Sequence, residues 1–251
     1  RGISVKAYAL TDTGRVRSMN QDYIYASPEQ VGSLPNLFLV ADGMGGRRAG
    51  DFASRYMVEN LVIYLGRKGK GSPVMQLKEG IEAVNRGLFE ESMKHEELRG
   101  MGCTLVAAVV ENGILYVANV GDSRLYVVGK EIRQITRDHS YVEEMVALGR
   151  MNRGSADYRR NKNIITRAVG TMPRVNVDFF ETEISGGEVF LLCSDGLSNM
   201  VEDSTIHKIV KNAPSLDAAA RILVDRANDN GGADNISVVL VRPEGSGVRV
   251  C

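Results

Sequence analysis

Four short apolar runs in this chain each carry an aspartate at one end, at or beside a glycine. The four sites are Asp42-Gly43, Gly121-Asp122, Asp195-Gly196 and, after the pair Gly231-Gly232, Asp234. A buried carboxylate is costly unless something pairs with it, so several carboxylates from distant segments predict one shared cation. Oxygen-rich sites suit Mg²⁺ or Mn²⁺, whereas zinc normally brings histidine or cysteine ligands. The residues therefore predict a metal-dependent hydrolase.

Asp22 completes this candidate set, and its surroundings suit the same chemistry. Glycine beside an aspartate lets a backbone carbonyl approach an ion, and Asn235 is placed to orient Asp234. Two divalent ions roughly 3.5–4 Å apart can clamp an in-line phosphoryl displacement. A single Asp-Gly pair is more often a turn, but turns explain four such sites poorly when each adjoins an apolar strand.

The elements that must position these carboxylates follow from hydrophobic periodicity. Apolar runs and alternation predict strands over 3–11, 23–26, 37–41, 103–110, 114–120, 125–128, 131–135, 175–184, 188–192 and 236–241. Helical spacing predicts helices over 49–65, 74–98, 141–148, 203–211 and 216–228, whereas 149–162 has no clean periodicity. Many hairpins, with helices in two clusters, favour an α+β layered sandwich in which 49–98 covers one sheet and 203–228 the other.

Bulk properties are those of an ordinary globular chain of 251 residues, in which 31 basic residues balance 31 acidic ones. We expect one domain over 1–251, with 245–251 as a frayed tail, because no Pro/Gly/Ser-rich linker divides the chain. Zero net charge, and the lack of an apolar stretch of roughly 20 residues, argue against nucleic-acid binding and membrane insertion. Three scattered cysteines are typical of free thiols, so we expect a cytoplasmic protein or the cytoplasmic domain of a longer one.

Seven short motifs stand in order along most of the chain. They are 11–22 (TDTGRVRSMNQD), 40–46 (VADGMGG), 102–104 (GCT), 119–124 (NVGDSR), 138–140 (DHS), 193–197 (CSDGL) and 234–237 (DNIS). The series resembles the metal-dependent protein phosphatases, the PP2C (PPM) family, from about residue 3 to 241. The resemblance implies an α+β fold, a four-layer αββα sandwich with two antiparallel sheets flanked by helix pairs, and serine/threonine protein phosphatase activity of bacterial type.

The resemblance also implies a set of metal ligands. They are Asp22, Asp42, Gly43, Asp122, Asp195 and Asp234. Asp42 would bridge two Mn²⁺ or Mg²⁺ ions, with the Gly43 carbonyl on one of them. Asp195 and Asp234 would hold the opposite ion. Asp122, together with Asp195, would recruit a third and weaker ion.

Arg17 and Asp42 are the catalytic residues that the resemblance implies. Arg17 would hold the substrate phosphate with its planar fork of donors, while a hydroxide bridging the two ions attacks phosphorus without a covalent phosphoenzyme. Asp22 would lie at the edge of the cluster, on a water or on the ion itself. Gln21 and Asn235 would lie behind the ligands, and Gln21 lacks the charge of the glutamate that many members carry there.

Further departures from the family pattern are confined to two residues. Met44 replaces the histidine of eukaryotic members, which is typical of the bacterial branch and leaves a water activated by its ion as the leaving-group acid. Cys103 replaces a residue that is commonly threonine or serine, a change in packing. His139, the only histidine in a motif, is predicted to be structural.

A mobile flap beside the catalytic cleft is implied at about 141–170. Its basic residues are Arg150, Arg153, Arg159, Arg160 and Lys162. They are either substrate-selecting groups or part of a solvated loop. The expected partners are phosphorylated serine/threonine proteins, the substrates of a cognate serine/threonine kinase, and the protein is expected to act as a monomer.

Two other functions stay open at this point. One is a catalytically weak metal-binding module that recognises phosphoproteins or regulates a partner. The retention of every carboxylate in the set argues against it. The other is a metal-dependent nucleotide hydrolase, which lacks support because the sequence has no GxxxxGK[ST] loop.

Overall fold

Two antiparallel sheets form the centre of the fold in the computed structural model, which describes residues 4–46, 48–67 and 69–244. The strands are β1 (Ser4–Asp12), β2 (Asp22–Ser27), β3 (Leu37–Met44), β4 (Gly102–Cys103), β5 (Leu105–Glu111), β6 (Ile114–Val120), β7 (Arg124–Val128), β8 (Ile132–Gln134), β9 (Asp178–Glu183), β10 (Val189–Cys193) and β11 (Ile236–Glu244). Sheet I has the order β1-β11-β10-β7-β8. Sheet II has the order β2-β3-β5-β6-β9, and β4 pairs with the end of β3.

Within the described residues seven α-helices accompany the sheets, and two pairs of them cover the outer faces. They are α1 (Ala49–Gly66), α2 (Pro73–Lys94), α3 (Tyr141–Ala147), α4 (Ala156–Asn161), α5 (Asp195–Ser198), α6 (Asp203–Asn212) and α7 (Leu216–Asp229). The pair α1 and α2 packs on sheet II, and the pair α6 and α7 packs on sheet I. Within the described residues, no helix is long and apolar enough to span a bilayer.

Alternating side chains of the central strands divide the core into three apolar layers. Phe38 and Val40 of β3 meet Leu192 of β10 between the two sheets. Leu39, on the opposite face of β3, packs beneath α1 and α2, and Leu191 packs beneath α6 and α7. A strand covered on both faces reads as a continuous apolar run, which explains the sequence pattern of 37–41. The predicted four-layer αββα sandwich is confirmed.

Element boundaries differ from the sequence predictions in several places. The helix predicted over 74–98 ends at Lys94 because His95 is extended (φ −122°, ψ 120°), and a short 3₁₀ turn follows it. The strands predicted over 131–135 and 175–184 shorten to β8 and β9. Helix α4 lies within 149–162, where Ser155 caps it by accepting the Tyr158 amide at 3.1 Å. The tail predicted over 245–251 lies outside the described residues.

Candidate active site

Antiparallel pairing of β2 with β3 places two predicted metal ligands opposite each other. Asp22, the first residue of β2, lies directly across from Asp42, near the end of β3. Asp22 is buried, whereas Asp42 keeps part of its surface open. Like charges at directly opposed positions of a sheet repel, so this pairing is unfavourable unless a cation or a proton neutralises it.

Gly43 brings the backbone of β3 close to two neighbouring segments. Its amide donates to the Gln21 carbonyl at 3.0 Å. A Cβ at this position would lie 1.9 Å from the Gly50 carbonyl oxygen, at the start of α1. No residue with a side chain fits there without moving backbone, so the position requires glycine. Ser54 of α1 also donates to the Gln21 carbonyl, at 2.6 Å, and Gln21 thus joins β2, β3 and α1 through its backbone.

A second close backbone approach brings Asp195 beside Asp234. Asp195 opens α5 directly after β10, and Asp234 precedes β11. A Cβ at Gly196 would lie 1.9 Å from the carbonyl oxygen of Asn235, so only glycine allows the two segments to meet. Asn199 then donates to Oδ2 of Asp195 at 2.9 Å and fixes the orientation of that carboxylate.

Two buried hydroxyls hold the Asp22 carboxylate. Ser194 and Ser237 donate to its Oδ2 at 2.7 and 2.6 Å. Both serines are themselves fully buried. Two hydroxyl donors on one oxygen fix the side chain and leave its other oxygen, Oδ1, directed elsewhere.

A second pair of hydroxyls supports Asp42 through its backbone. Thr104 Oγ1 accepts the Asp42 amide at 3.0 Å, and the Thr104 amide donates to the Asp42 carbonyl at 2.8 Å. Ser123, one residue after Asp122, bonds the Thr104 hydroxyl at 2.7 Å. The two strand ends that carry Asp42 and Asp122 are therefore tied together.

His139 holds the turn that presents Asp122. Its Nδ1 accepts the Gly121 amide at 3.0 Å, and its Nε2 lies 2.9 Å from Asp178. Because Nδ1 accepts, Nε2 carries the proton and donates to Asp178. These contacts give His139 a structural part in the turn, as the sequence predicted.

The carboxylates lie close enough to alter one another's ionisation. Burial raises the pKa of Asp22 to about 7 and that of Asp122 to about 8, from an ordinary value of 3.8. Burial also raises the pKa of Asp42, and the charges of Asp22, Asp195, Asp122 and Asp234 add to that rise. The structure thus brings the five predicted aspartates into one cluster.

Unpaired oxygens show what this cluster could bind. Among the described residues, Oδ1 of Asp22, Asp122 and Asp195 is buried without a hydrogen-bond partner. Buried acceptors are normally satisfied, so three orphan oxygens in one cluster need an explanation. A hard divalent cation, which prefers carboxylate and carbonyl oxygen, would satisfy them, and the donor set fits Mg²⁺ or Mn²⁺.

The cluster is nevertheless not closed around an ion. Within residues 4–46, 48–67 and 69–244, no three aspartate, glutamate, histidine or cysteine side chains form an arrangement that could hold a metal ion. Magnesium commonly uses one or two carboxylates and several waters, so a complete trio is not essential. The trio Asp42, Asp195 and Asp234 would have to draw together around its cation, against the ion pair that now holds Asp234.

The metal-free protein is expected to lose stability as pH rises from about 4 to about 8. The pKa values of Asp22 and Asp122 rise on folding to about 7 and about 8, so the folded state binds more protons than the unfolded chain across this window. Stability falls with pH wherever the folded state holds the extra protons. Thermal unfolding in chelator at pH 5 and pH 8 measures the effect, and excess manganese should restore stability at pH 8. Equal melting temperatures at the two pH values in chelator would contradict the clustering.

Arg17 lies on a loop that is pinned beside the cluster. Its Nη2 donates to Oδ2 of Asp234 at 2.8 Å, with about half of the Arg17 side chain (53%) exposed. The Asn235 side-chain amide donates to the carbonyls of Thr13 and Met19, each at 2.9 Å, so both ends of the loop are fixed. The Asn235 amide group therefore orients the arginine loop, and its backbone N–H contacts Asp234 at 2.8 Å.

A cavity of about 290 Å³ lies beside the cluster. Asp122 and Asp195 line one side of it, and Arg159 and Lys162 of the predicted flap line another. The two cations therefore share one cavity with two carboxylates of the cluster.

The sequence model of the protein phosphatase 2C family matches residues 13–236 of this chain. This interval contains Arg17 and every predicted metal ligand. The chain belongs to the protein phosphatase 2C family. One relative is the serine/threonine phosphatase stp of Listeria monocytogenes. It is 39% identical to this chain over 240 residues, which cover 92% of this chain and 93% of the relative. The resemblance that the motifs indicated is confirmed.

Solved structures of phosphatases share the fold. Serine/threonine phosphatase Stp1 from Staphylococcus aureus superposes with a TM-score of 0.89 at 33% identity, covering 96% of each chain. The catalytic domain of serine/threonine protein phosphatase PstP, solved in complex with two manganese ions, gives a TM-score of 0.85 at 30% identity, covering 98% of this chain and all of that one.

Sequence reasoning gave no role to the hydroxyls that support the cluster. They are Thr104, Ser123, Ser194 and Ser237. Ser123 and Ser194 adjoin Asp122 and Asp195, Ser237 follows Asp234 by three residues, and Thr104 directly precedes the apolar run 105–110. A short polar side chain in that position needs a buried partner, which is the signal that could have identified them.

Proposed function

We propose that this protein hydrolyses phosphoserine and phosphothreonine residues of other proteins in a metal-dependent reaction. The observation that carries the proposal is the meeting of five aspartates, three of which have orphan buried oxygens, beside the half-exposed guanidinium of Arg17. Relatives named as serine/threonine phosphatases support the same activity.

Two manganese or magnesium ions are the cofactors that the donor set fits, and the PstP structure with two manganese ions supports that number. Asp42 and the Gly43 carbonyl, with Asp195 and Asp234, would hold the pair. Asp122, with Asp195, would hold a third and weaker ion. When bound, such ions offset the repulsion among the carboxylates, polarise the phosphoryl oxygens and lower the pKa of water so that it can attack phosphorus.

The chain's own residues bind and orient the substrate. Arg17 would exchange Asp234 for the substrate phosphate, which it can grip with two parallel hydrogen bonds. Asp22 is fixed by two hydroxyls on Oδ2, and its second oxygen is buried without a hydrogen-bond partner. Within the described part of the chain, neither cysteine offers a thiol nucleophile, because burial raises the pKa of Cys193 to about 12 and that of Cys103 further still. Neither is a thiolate at neutral pH.

We further propose that residues 1–251 form one catalytic domain that acts as a monomer. Its flap would span about 141–170. Its substrates would be proteins phosphorylated by a cognate serine/threonine kinase. The buried free thiols of Cys103 and Cys193 support a reducing compartment such as the cytoplasm.

Phosphate release from a phosphothreonine peptide tests the function. We expect turnover with manganese, none in chelator, and recovery when manganese is returned in excess. Equal hydrolysis in chelator would contradict metal dependence. A protein that binds manganese and the peptide without turnover would instead be the catalytically weak binding module.

A further inference from the structure

Helix α4 has no apolar anchoring. It contains no buried residue, and the preceding helix α3 buries only Val142 and Glu143. On either side, Leu148 and Ile164 are exposed. A helix of six residues is not stable alone in water, so polar contacts must hold α4 in place.

One carboxylate supplies those contacts. Arg153, in the loop before α4, donates through Nε to Oε1 of Glu143 at 3.2 Å and through Nη2 to Oε2. Tyr158 of α4 donates its hydroxyl to Oε1 at 2.9 Å. We call Glu143, Arg153 and Tyr158 the flap clamp.

The clamp is centred on an ionised carboxylate that is largely shielded from water, while the Arg153 side chain is 66% exposed. The Glu143 side chain is 11% exposed. Burial acts to raise the pKa of Glu143, but hydrogen bonds from Arg153 and Tyr158 outweigh it and lower the pKa. The clamp residues line a polar cavity of about 530 Å³, so apolar packing does not replace these bonds on that side. Charge-assisted hydrogen bonds to a shielded carboxylate are the strong kind.

Helix α4 and the residues after it reach the acidic cluster. Arg159 and Lys162 line the cavity that Asp195 also lines. Just beyond the helix, Asn163 accepts from Asn199 Nδ2 at 3.4 Å, and the same nitrogen donates to Asp195. The position of α4 therefore decides where two cations and one link to Asp195 stand.

We propose that Glu143 is a positioning residue for protein substrates. Through Arg153 and Tyr158 it holds α4 over the acidic cluster, where Arg159 and Lys162 receive the chain that carries the phosphate. The inference rests on the proposed function, since it assigns the recognition of phosphoprotein substrates to that same site. A small aryl phosphate contacts only Arg17 and the cluster, so it does not depend on the clamp.

The kinetic test uses Glu143→Gln, which keeps the shape of the side chain and removes its charge. We expect KM for a phosphothreonine peptide to rise about tenfold, because charge-assisted bonds that fix the flap are lost. For p-nitrophenyl phosphate, kcat and KM should stay near wild-type values. Glu144→Gln is the matched control, since Glu144 is the exposed neighbour on the same helix. Arg153→Gln should reproduce the Glu143→Gln result, and the double variant should add nothing to either.

Hydrogen exchange gives a second test that needs no activity. In Glu143→Gln and Arg153→Gln, amides of 153–162 should exchange faster, while those of β3 and β10 should not. If the wild-type protein releases no phosphate, the proposed function fails and the exchange result still decides the clamp. Unchanged exchange in both variants overturns the proposal. Equal losses on the peptide and the aryl phosphate also overturn it, because a merely structural role would lower both together.

Discussion

Replacing Asp42 by asparagine is expected to lower kcat for a phosphothreonine peptide about a thousandfold or more. The substitution removes the charge at the centre of the cluster, where Asp42 faces Asp22 across β2 and β3. Loss of one group that stabilises transition-state charge costs about 10²–10³ in rate, and Asp42 would in addition hold both ions. Steady-state kinetics in saturating manganese measures the effect.

Folding of the Asp42→Asn protein should survive the change. The contacts that fix Asp42 are made by its backbone to Thr104, and asparagine keeps them. In the metal-free state the neighbouring carboxylates repel that of Asp42. The melting temperature of the Asp42→Asn protein in chelator should therefore equal or exceed that of the wild type. Asp225→Asn, an exposed aspartate on α7, controls for the loss of one negative charge. Retention of more than about a tenth of wild-type kcat would be incompatible with Asp42 as the central ligand.

Replacing Arg17 by alanine is expected to lower kcat/KM about a hundredfold, on the phosphopeptide and on p-nitrophenyl phosphate alike. Both substrates present the phosphate that Arg17 would grip, and a charge-assisted bidentate contact is worth about 1.5–3 kcal/mol. Lysine at this position should recover only part of the activity, because it lacks the planar fork. This pattern differs from that of Glu143→Gln, which spares the small substrate.

Stability should hardly change when Arg17 is replaced. Its ion pair with Asp234 has 53% and 33% of the two side chains exposed, and such pairs contribute less than about 1 kcal/mol. Arg15→Ala is the matched control, as an exposed arginine of the same loop. If Arg17→Ala and Arg15→Ala have equal kinetics, Arg17 does not bind the phosphate.

Local signals made the strands and the cluster predictable. The apolar run that ends in Asp42-Gly43 predicts both a buried strand and a carboxylate at its end. The same holds for the run that ends at Asp195-Gly196. These signals identify aspartates at strand ends, and their convergence on one cation is predicted from the cost of burying each carboxylate alone.

Specific contacts between segments far apart in the sequence could not be predicted. The approach of Gly196 to Asn235, and the bonds from Ser194 and Ser237 to Asp22, depend on how two strands are paired, which no local pattern encodes. Helix α4 was missed because six residues are too few to show a helical period, and no apolar face is needed where Glu143 supplies the anchor.

The central claim is tested most directly by counting the manganese ions that bind to the folded protein after a chelator has removed its metal. Calorimetric titration, with anomalous diffraction from the loaded crystals, gives both the number of ions and their ligands. We expect two ions among Asp42, Asp195 and Asp234 in the wild type, and at least one fewer in Asp42→Asn. A folded protein that takes up neither manganese nor magnesium, or an Asp42→Asn variant with wild-type stoichiometry, would contradict it.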